Sequence, residues 1–211
     1  MNNFAQIGRK IVAVGRNYAA HAAELGNNVP DEPLIFLKPT SAYITEGQKI
    51  KFPPRCNNMH HEVELGIVVS SKAKLVSAQN YDRFIAGYVV ALDMTARDFQ
   101  EQAKNTGAPW LLAKGFDTSC PVSTLIEKSA IPDPHNVNLY CKVNGVERQR
   151  GCTSDFIFKI GTLFEYITQY VTLEPGDMIL TGTPQGVGKV VSGDIIEAGI
   201  EGVTSIKLEV E

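Results

Sequence analysis

The sequence predicts a β-rich α+β fold: a mixed β-sheet sandwich or roll carrying a few short helices. Three observations lead there. Apolar runs are short and rich in branched and aromatic residues, as in IVAV, PLIFL, ELGIVV and FIAGYVVALDM. Turn signals separate them, among them Pro53-Pro54, Pro175-Gly176-Asp177, Ser192-Gly193-Asp194 and Glu201-Gly202. Few stretches carry helical periodicity, so strands dominate.

Taken in order, Lys10 to Val14 reads as a strand. Asn17 to Leu25 makes a short helix that Gly26 ends. Leu34 to Leu37 is a strand stopped by Pro39. After the Pro53-Pro54 break comes the strand holding Glu62 and Glu64, and Phe84 to Met94 gives the next. Thr95 is placed to cap a helix over ARDFQEQAKNT, which Gly107 closes. Lys142 to Glu147 carries the Asn-Gly pair of a tight hairpin. Ser154 to Val171 is the clearest helix, with Phe156, Ile157, Ile160, Leu163, Phe164 and Ile167 at helical spacing. Short strands fill the tail. No repeat, low-complexity tract or linker interrupts residues 1–211, which read as a single domain.

With 211 residues, a chain buries roughly 70% of its unfolded surface, so it needs no staple merely to fold. A charged fraction of 20% and a formal net charge of −3 describe an ordinary soluble globular protein. No basic block is interleaved with aromatics, so a nucleic-acid partner is unsupported and none is expected. No apolar run approaches the ~18 residues of a spanning helix, so no membrane partner is expected. The 4 cysteines form no Cys-x-x-Cys pair and read as reduced apolar residues rather than as a zinc site. The first acidic residue is Glu24, after Arg9, Lys10 and Arg16. That basic start fits mitochondrial import, and equally a cytosolic chain running straight into its first strand.

The informative conflict lies in MHHEVELGIVV. Side chains alternate along a strand, so Glu62 and Glu64 share one face, about 7 Å apart. Beside a run that leaves water, two carboxylates repel and desolvate. Either they sit on the wet face of an edge strand, or a cation neutralises them. Asp93 favours the second alternative, because it ends the otherwise apolar YVVALD. An all-oxygen set of Glu62, Glu64 and Asp93 suits Mg²⁺, Mn²⁺ or Ca²⁺ rather than zinc and leaves coordination positions open. His60 and His61 do not complete a His-Glu-x-x-His zinc motif, since Leu65 stands where the second His is required. They are expected at the surface or behind the site.

Further residues carry chemistry on two readings each. His21 and Glu24, three apart on a helix, form either a proton-transfer dyad or a solvated pair. Arg97 and Gln100, three apart on the helix after Asp93, either reach a ligand at the metal or form an exposed polar face. Lys114 in WLLAKGF and Lys38 in IFLKPTS either neutralise an anionic substrate or snorkel at the surface. TGTPQGVGK fails the Walker pattern, yet can offer backbone amides to a carboxylate. Nucleophile-elbow and dinucleotide motifs are absent.

Together, VGRNYAAHAAEL, PLIFLKPTSAY, HHEVELGIVV, ALDMTARDFQ, PWLLAKGFD, KVNGVERQR and MILTGTPQGVG, in that order, resemble the fumarylacetoacetate hydrolase superfamily along essentially the whole chain. The wording is most similar to its acylpyruvate hydrolase branch, and no additional domain precedes these motifs. The resemblance implies a mixed-sheet roll of the family's C-terminal-domain type, a homodimer, and Mg²⁺ or Mn²⁺ held by Glu62, Glu64 and Asp93. It implies that His21 and Glu24 form a dyad on a lid, that Lys114 is catalytic, and that Arg16, Lys38, Arg97, Gln100 and Thr183 bind a small 2-oxo acid. The implied reaction is hydrolysis of the C–C bond of acylpyruvates to pyruvate and a carboxylic acid, with oxaloacetate decarboxylation through the same pyruvate enolate, in the mitochondrial matrix or the cytosol. The alternatives are a dienoate or diketo-acid isomerase or hydratase of the same superfamily, and a non-catalytic oxoacid-binding protein.

Overall fold

A computed structural model describes residues 1–24, 26 and 28–211. Its centre is a mixed sheet of six strands, ordered Ile126–Glu127, Ile85–Leu92, Val63–Val69, Met178–Leu180, Ile11–Gly15 and Leu34–Lys38. Ile11–Gly15 runs parallel to Met178–Leu180, and the other neighbours are antiparallel. A second sheet of five strands orders Val146–Cys152, Asn138–Val143, Ile195–Ile200, Thr204–Val210 and Lys49–Ile50. Two smaller sheets complete the roll. One joins Gly188–Val190, Met59–His61 and Thr95–Ala96; the other pairs Tyr43–Ile44 with Cys120–Pro121.

The main core lies between the two large sheets. Val63, Leu65, Ile67, Val90 and Leu92 meet Leu139, Ile196 and Leu208 there, with Leu163, Phe164 and Ile167 of the Ile160–Tyr170 helix closing one end. The opposite face of the central sheet is buried too, by Phe4, Ile11, Val68, Val89 and Met178. Burial on both faces explains why these strands read as unbroken apolar runs instead of alternating patterns. The Asn144–Gly145 hairpin forms as expected, with φ of 52° and 79°. Positive φ at both central residues matches the right-handed strand twist, and Asn-Gly tolerates it.

Two expected helices start differently. The Arg97–Thr106 helix has Ala96 at its N-cap rather than Thr95. The Thr95 hydroxyl instead donates to Asp93 O at 3.0 Å and accepts from Lys114 Nζ at 2.7 Å. The long helix begins at Ile160, not Ser154. Residues 156–158 are drawn sideways onto Asn17: Ile157 N donates to Asn17 O, and the Asn17 amide both accepts from Phe158 N and donates to Phe158 O. These backbone groups are therefore satisfied outside any helix. Leu25, at the expected end of the first helix, lies outside the described residues; Ala19–Glu24 is helical.

Candidate active site

The strand expected to carry both glutamates is broken at Glu62. Met59–His61 belongs to the three-stranded sheet and Val63–Val69 to the central one. This break turns Glu62 into the same pocket as Glu64 and Asp93. One carboxylate oxygen from each can be chosen so that all three lie within 4.8 Å of one another. All three residues are buried, with exposures of 5%, 1% and 1%. The wet-edge alternative is thereby removed.

Cations meet two of the three acids. Glu62 accepts from Arg97 Nη2 at 2.6 Å and from Lys114 Nζ at 2.8 Å. Asp93 accepts from Lys114 Nζ and from Lys38 Nζ, each at 2.6 Å. Burial opposes ionisation of Glu62, but Lys114 and Arg97 prevail and hold its carboxyl below the usual carboxylate range. Glu64 differs. Among the described residues its partner is the Gly182 amide, at 2.7 Å, and no basic side chain reaches ion-pair distance. Burial, reinforced by the negative charges of Asp93 and Glu62, pushes Glu64 well above its ordinary range. Three convergent carboxylates, one of them with no ion-paired cation among the described residues, form a donor set that fits a hard divalent cation. Gly182 makes that amide available: its φ is +95°, and a Cβ there would lie 2.7 Å from Asn17 Cβ.

The remaining expected residues fall into place unevenly. His21 lines the pocket, and its Nδ1 lies 3.0 Å from Glu24 Oε2. Glu24 is itself anchored, its Oε1 accepting from Gly186 N at 2.9 Å. Arg97, Gln100, Lys114, Arg16 and Thr183 also line the pocket. Arg97 Nη1 donates to Gln100 Oε1 at 2.7 Å, while its Nε is buried with no acceptor among the described residues. Lys114 uses its ammonium on Glu62, Asp93 and Thr95, so it neutralises charge within the site. The Thr183 hydroxyl donates to Val63 O at 2.8 Å, which fixes it as a brace.

Lys38 is a correction. Expected to contact substrate, it is fully buried behind Asp93, bonded also to Met94 O and Lys114 O, and is absent from the pocket wall. His61 takes the second of its two expected places, behind the site: it is buried, with Nδ1 at 2.8 Å from Gln149 Oε1.

Sequence reading missed Gln149. Its Oε1 also accepts from Val63 N at 3.1 Å, and its Nε2 donates to Thr183 Oγ1 and Pro184 O at 2.8 and 2.9 Å. It thus clamps the residues on both sides of Glu62 to the loop carrying Thr183. The only signal was its place in KVNGVERQR, where alternation put it on the inner face.

The profile of the fumarylacetoacetate hydrolase C-terminal family matches residues 10–211. The chain belongs to this family. A relative from Caenorhabditis elegans, named a mitochondrial oxaloacetate tautomerase, is 53% identical over 99% of this chain and 97% of its own. A mitochondrial oxaloacetate decarboxylase of Dictyostelium discoideum is 50% identical over 96% of this chain and 94% of its own. The crystal structure of a fumarylpyruvate hydrolase from Pseudomonas aeruginosa, in complex with Mn²⁺ and pyruvate, superposes with a TM-score of 0.91 at 33% identity, covering 96% of this chain and 89% of the other. These three relatives are named as enzymes, and the Caenorhabditis elegans and Dictyostelium discoideum proteins as mitochondrial.

Proposed function

We propose that this protein is an enzyme of 2-oxo acid chemistry whose principal reaction interconverts the keto and enol forms of oxaloacetate. The observation that carries this reading is a buried histidine, backed by an anchored carboxylate, in one pocket with three convergent acids. A divalent cation, Mg²⁺ or Mn²⁺, held by Glu62, Glu64 and Asp93 would supply the positive charge that polarises the 2-oxo group.

The protein's own residues supply the proton movement. Glu24 accepts from His21 Nδ1, which leaves the Nε2 lone pair as the base. Carbon 3 of oxaloacetate is adjacent to the 2-oxo group, whose polarisation makes the C3 proton acidic. His21 removes that proton, and the C–H electron pair forms the C2–C3 double bond as negative charge moves to the 2-oxygen. Return of that proton from His21, directly or through water, to the 2-oxygen gives the enol and regenerates the base, and the reverse sequence returns the ketone. Arg97, held by Glu62 and Gln100, has a buried Nε–H free for a substrate oxygen.

A second reading, hydrolysis of acylpyruvates, is favoured by the fumarylpyruvate hydrolase likeness. There His21 takes a proton from water, hydroxide attacks the acyl carbonyl, and the C–C bond breaks to leave pyruvate enolate and a carboxylic acid. Loss of CO₂ from oxaloacetate leads to the same enolate. The test is the ultraviolet absorbance of the oxaloacetate enol with purified protein and Mg²⁺. Chelator-sensitive acceleration of its decay supports tautomerisation. An unchanged decay, with chelator-sensitive release of pyruvate from acetylpyruvate, moves the assignment to hydrolysis.

Two further points belong to this reading. The names of the relatives support a mitochondrial matrix location, and no helix among the described residues is long and apolar enough to cross a membrane. Exposed Leu37, Leu111 and Leu112 support a homodimer, which light scattering would measure.

A further inference from the structure

Two cations in the pocket wall are left over by the arrangement above. Arg16 and Lys104 line the same pocket as His21 and the three acids. Lys38, Arg97 and Lys114 are tied to Glu62 and Asp93 at 2.6–2.8 Å. By contrast, among the described residues no carboxylate lies within ion-pair distance of Arg16 or Lys104. Lys104 sits 5.7 Å from the centroid of the Trp110 ring, and Trp110 packs on Phe36 at 5.5 Å. Burial, with the positive charges of Arg16, Arg97 and Lys114, holds the Lys104 ammonium below its ordinary range, while Glu101 one turn away pulls in the opposite direction. An anion entering here meets two cations that have no ion-pair partner among the described residues.

Arg16 adds an independent observation. Its φ is 58°, in the left-handed region that favours glycine. Its neighbours impose that conformation: Gly15 is registered against Leu34, and Asn17 is pinned to Phe158 O and Thr181 O. Glycine would satisfy the backbone without strain, so an arginine kept in a strained position at a pocket wall points to a use for its side chain.

We propose that Arg16 and Lys104 form a second anion subsite, which takes the distal carboxylate of a 2-oxo dicarboxylate while its 2-oxo end faces Glu62, Glu64 and Asp93. This rests on the functional reading above and narrows it. The guanidinium offers a planar fork matched to a carboxylate, and the Lys104 ammonium, backed by Trp110, adds a point charge. The preferred substrates are then dicarboxylic, and a neutral acyl tail leaves both cations without a partner.

The test compares oxaloacetate with acetylpyruvate, which carries a neutral tail, in the wild type, Arg16→Gly and Lys104→Gln, all with Mg²⁺. Arg16→Gly suits the left-handed backbone, so its Tm is expected to hold or rise. In each variant the ratio of kcat/KM for oxaloacetate to that for acetylpyruvate should fall about tenfold or more, as for loss of one charge-assisted pair. The fall should come mainly through the KM of oxaloacetate. An unchanged ratio in folded variants overturns the subsite. If the wild type turns over neither substrate, the functional reading fails separately. Calorimetry with succinate and butyrate then decides the subsite: tighter binding of succinate, lost in Arg16→Gly, supports it, and equal binding overturns it.

Discussion

Replacing Gln149 with leucine tests how the site is built. The side chain is 1% exposed and makes four hydrogen bonds, two accepted and two donated. Leucine keeps most of the volume and removes all four. The Val63 amide and His61 Nδ1–H become buried donors without acceptors, each costing about 1–3 kcal/mol. Thr183 Oγ1 keeps its bond to Val63 O, so its loss is smaller. The sum, about 2–6 kcal/mol, is a large share of the ~5–15 kcal/mol that stabilises a typical domain. At about 2–4 °C per kcal/mol for this size, Tm should fall by roughly 4–24 °C. Because Glu62 lies between the two orphaned residues, calorimetric titration of Mn²⁺ should also show weaker binding in protein that remains folded. Gln149→Glu keeps an acceptor for Val63 and His61 and should recover part of the loss. A Tm within 2 °C of wild type, with unchanged Mn²⁺ affinity, would refute the assignment of Gln149 as the clamp.

Other outcomes follow from the same geometry. His21→Ala should lower acylpyruvate hydrolysis by ~10²-fold or more while sparing oxaloacetate decarboxylation, which needs no attacking water; equal losses in parallel assays would remove the split. Glu64→Gln keeps an acceptor for Gly182 N but removes a charge, so Mn²⁺ binding should weaken and Tm without metal should hold or rise, since this buried acid has no ion-paired cation among the described residues; unchanged affinity would exclude Glu64 as a ligand. His135 accepts from Ile160 N at 3.1 Å at the start of the long helix, and burial, with the charge of Lys159, holds it below its ordinary value. Its neutral form is the one the fold uses, so its stabilisation is complete above about pH 6.5 and is lost as the pH falls through the lower folded value. His135→Gln should reduce the acid-side fall in Tm, which a pH series of melting curves measures.

Glu62, Glu64 and Asp93 could be picked out in the sequence because a carboxylate inside a buried strand is a local contradiction that needs only nearby residues to be seen. The hairpin at Asn144-Gly145, the Gly107 helix end and the strand cores were legible for the same reason: backbone preference and apolar pattern act over a few residues. Local pattern did not reveal competition between distant groups. The periodicity of residues 154–159 was overruled by Asn17, and the capping role of Thr95 by Asp93 and Lys114. Lys38 read as a reachable cation until the fold placed it behind Asp93.

Taken by itself, the sequence determined the β-rich class and marked Glu62, Glu64, Asp93, His21 and Glu24 as candidates, since apolar pattern and local spacing show them, while the family resemblance implied their roles. Only the tertiary structure decided that Glu62 turns at a strand break, that Gln149 clamps that break to the Thr183 loop, and that Arg16 and Lys104 have no ion-paired acid among the described residues. Those outcomes depend on which hydrogen-bonding and charged groups remain unsatisfied after every other group has found its partner, a sum over residues far apart in the chain, as Gln149 and His61 are at 88 positions.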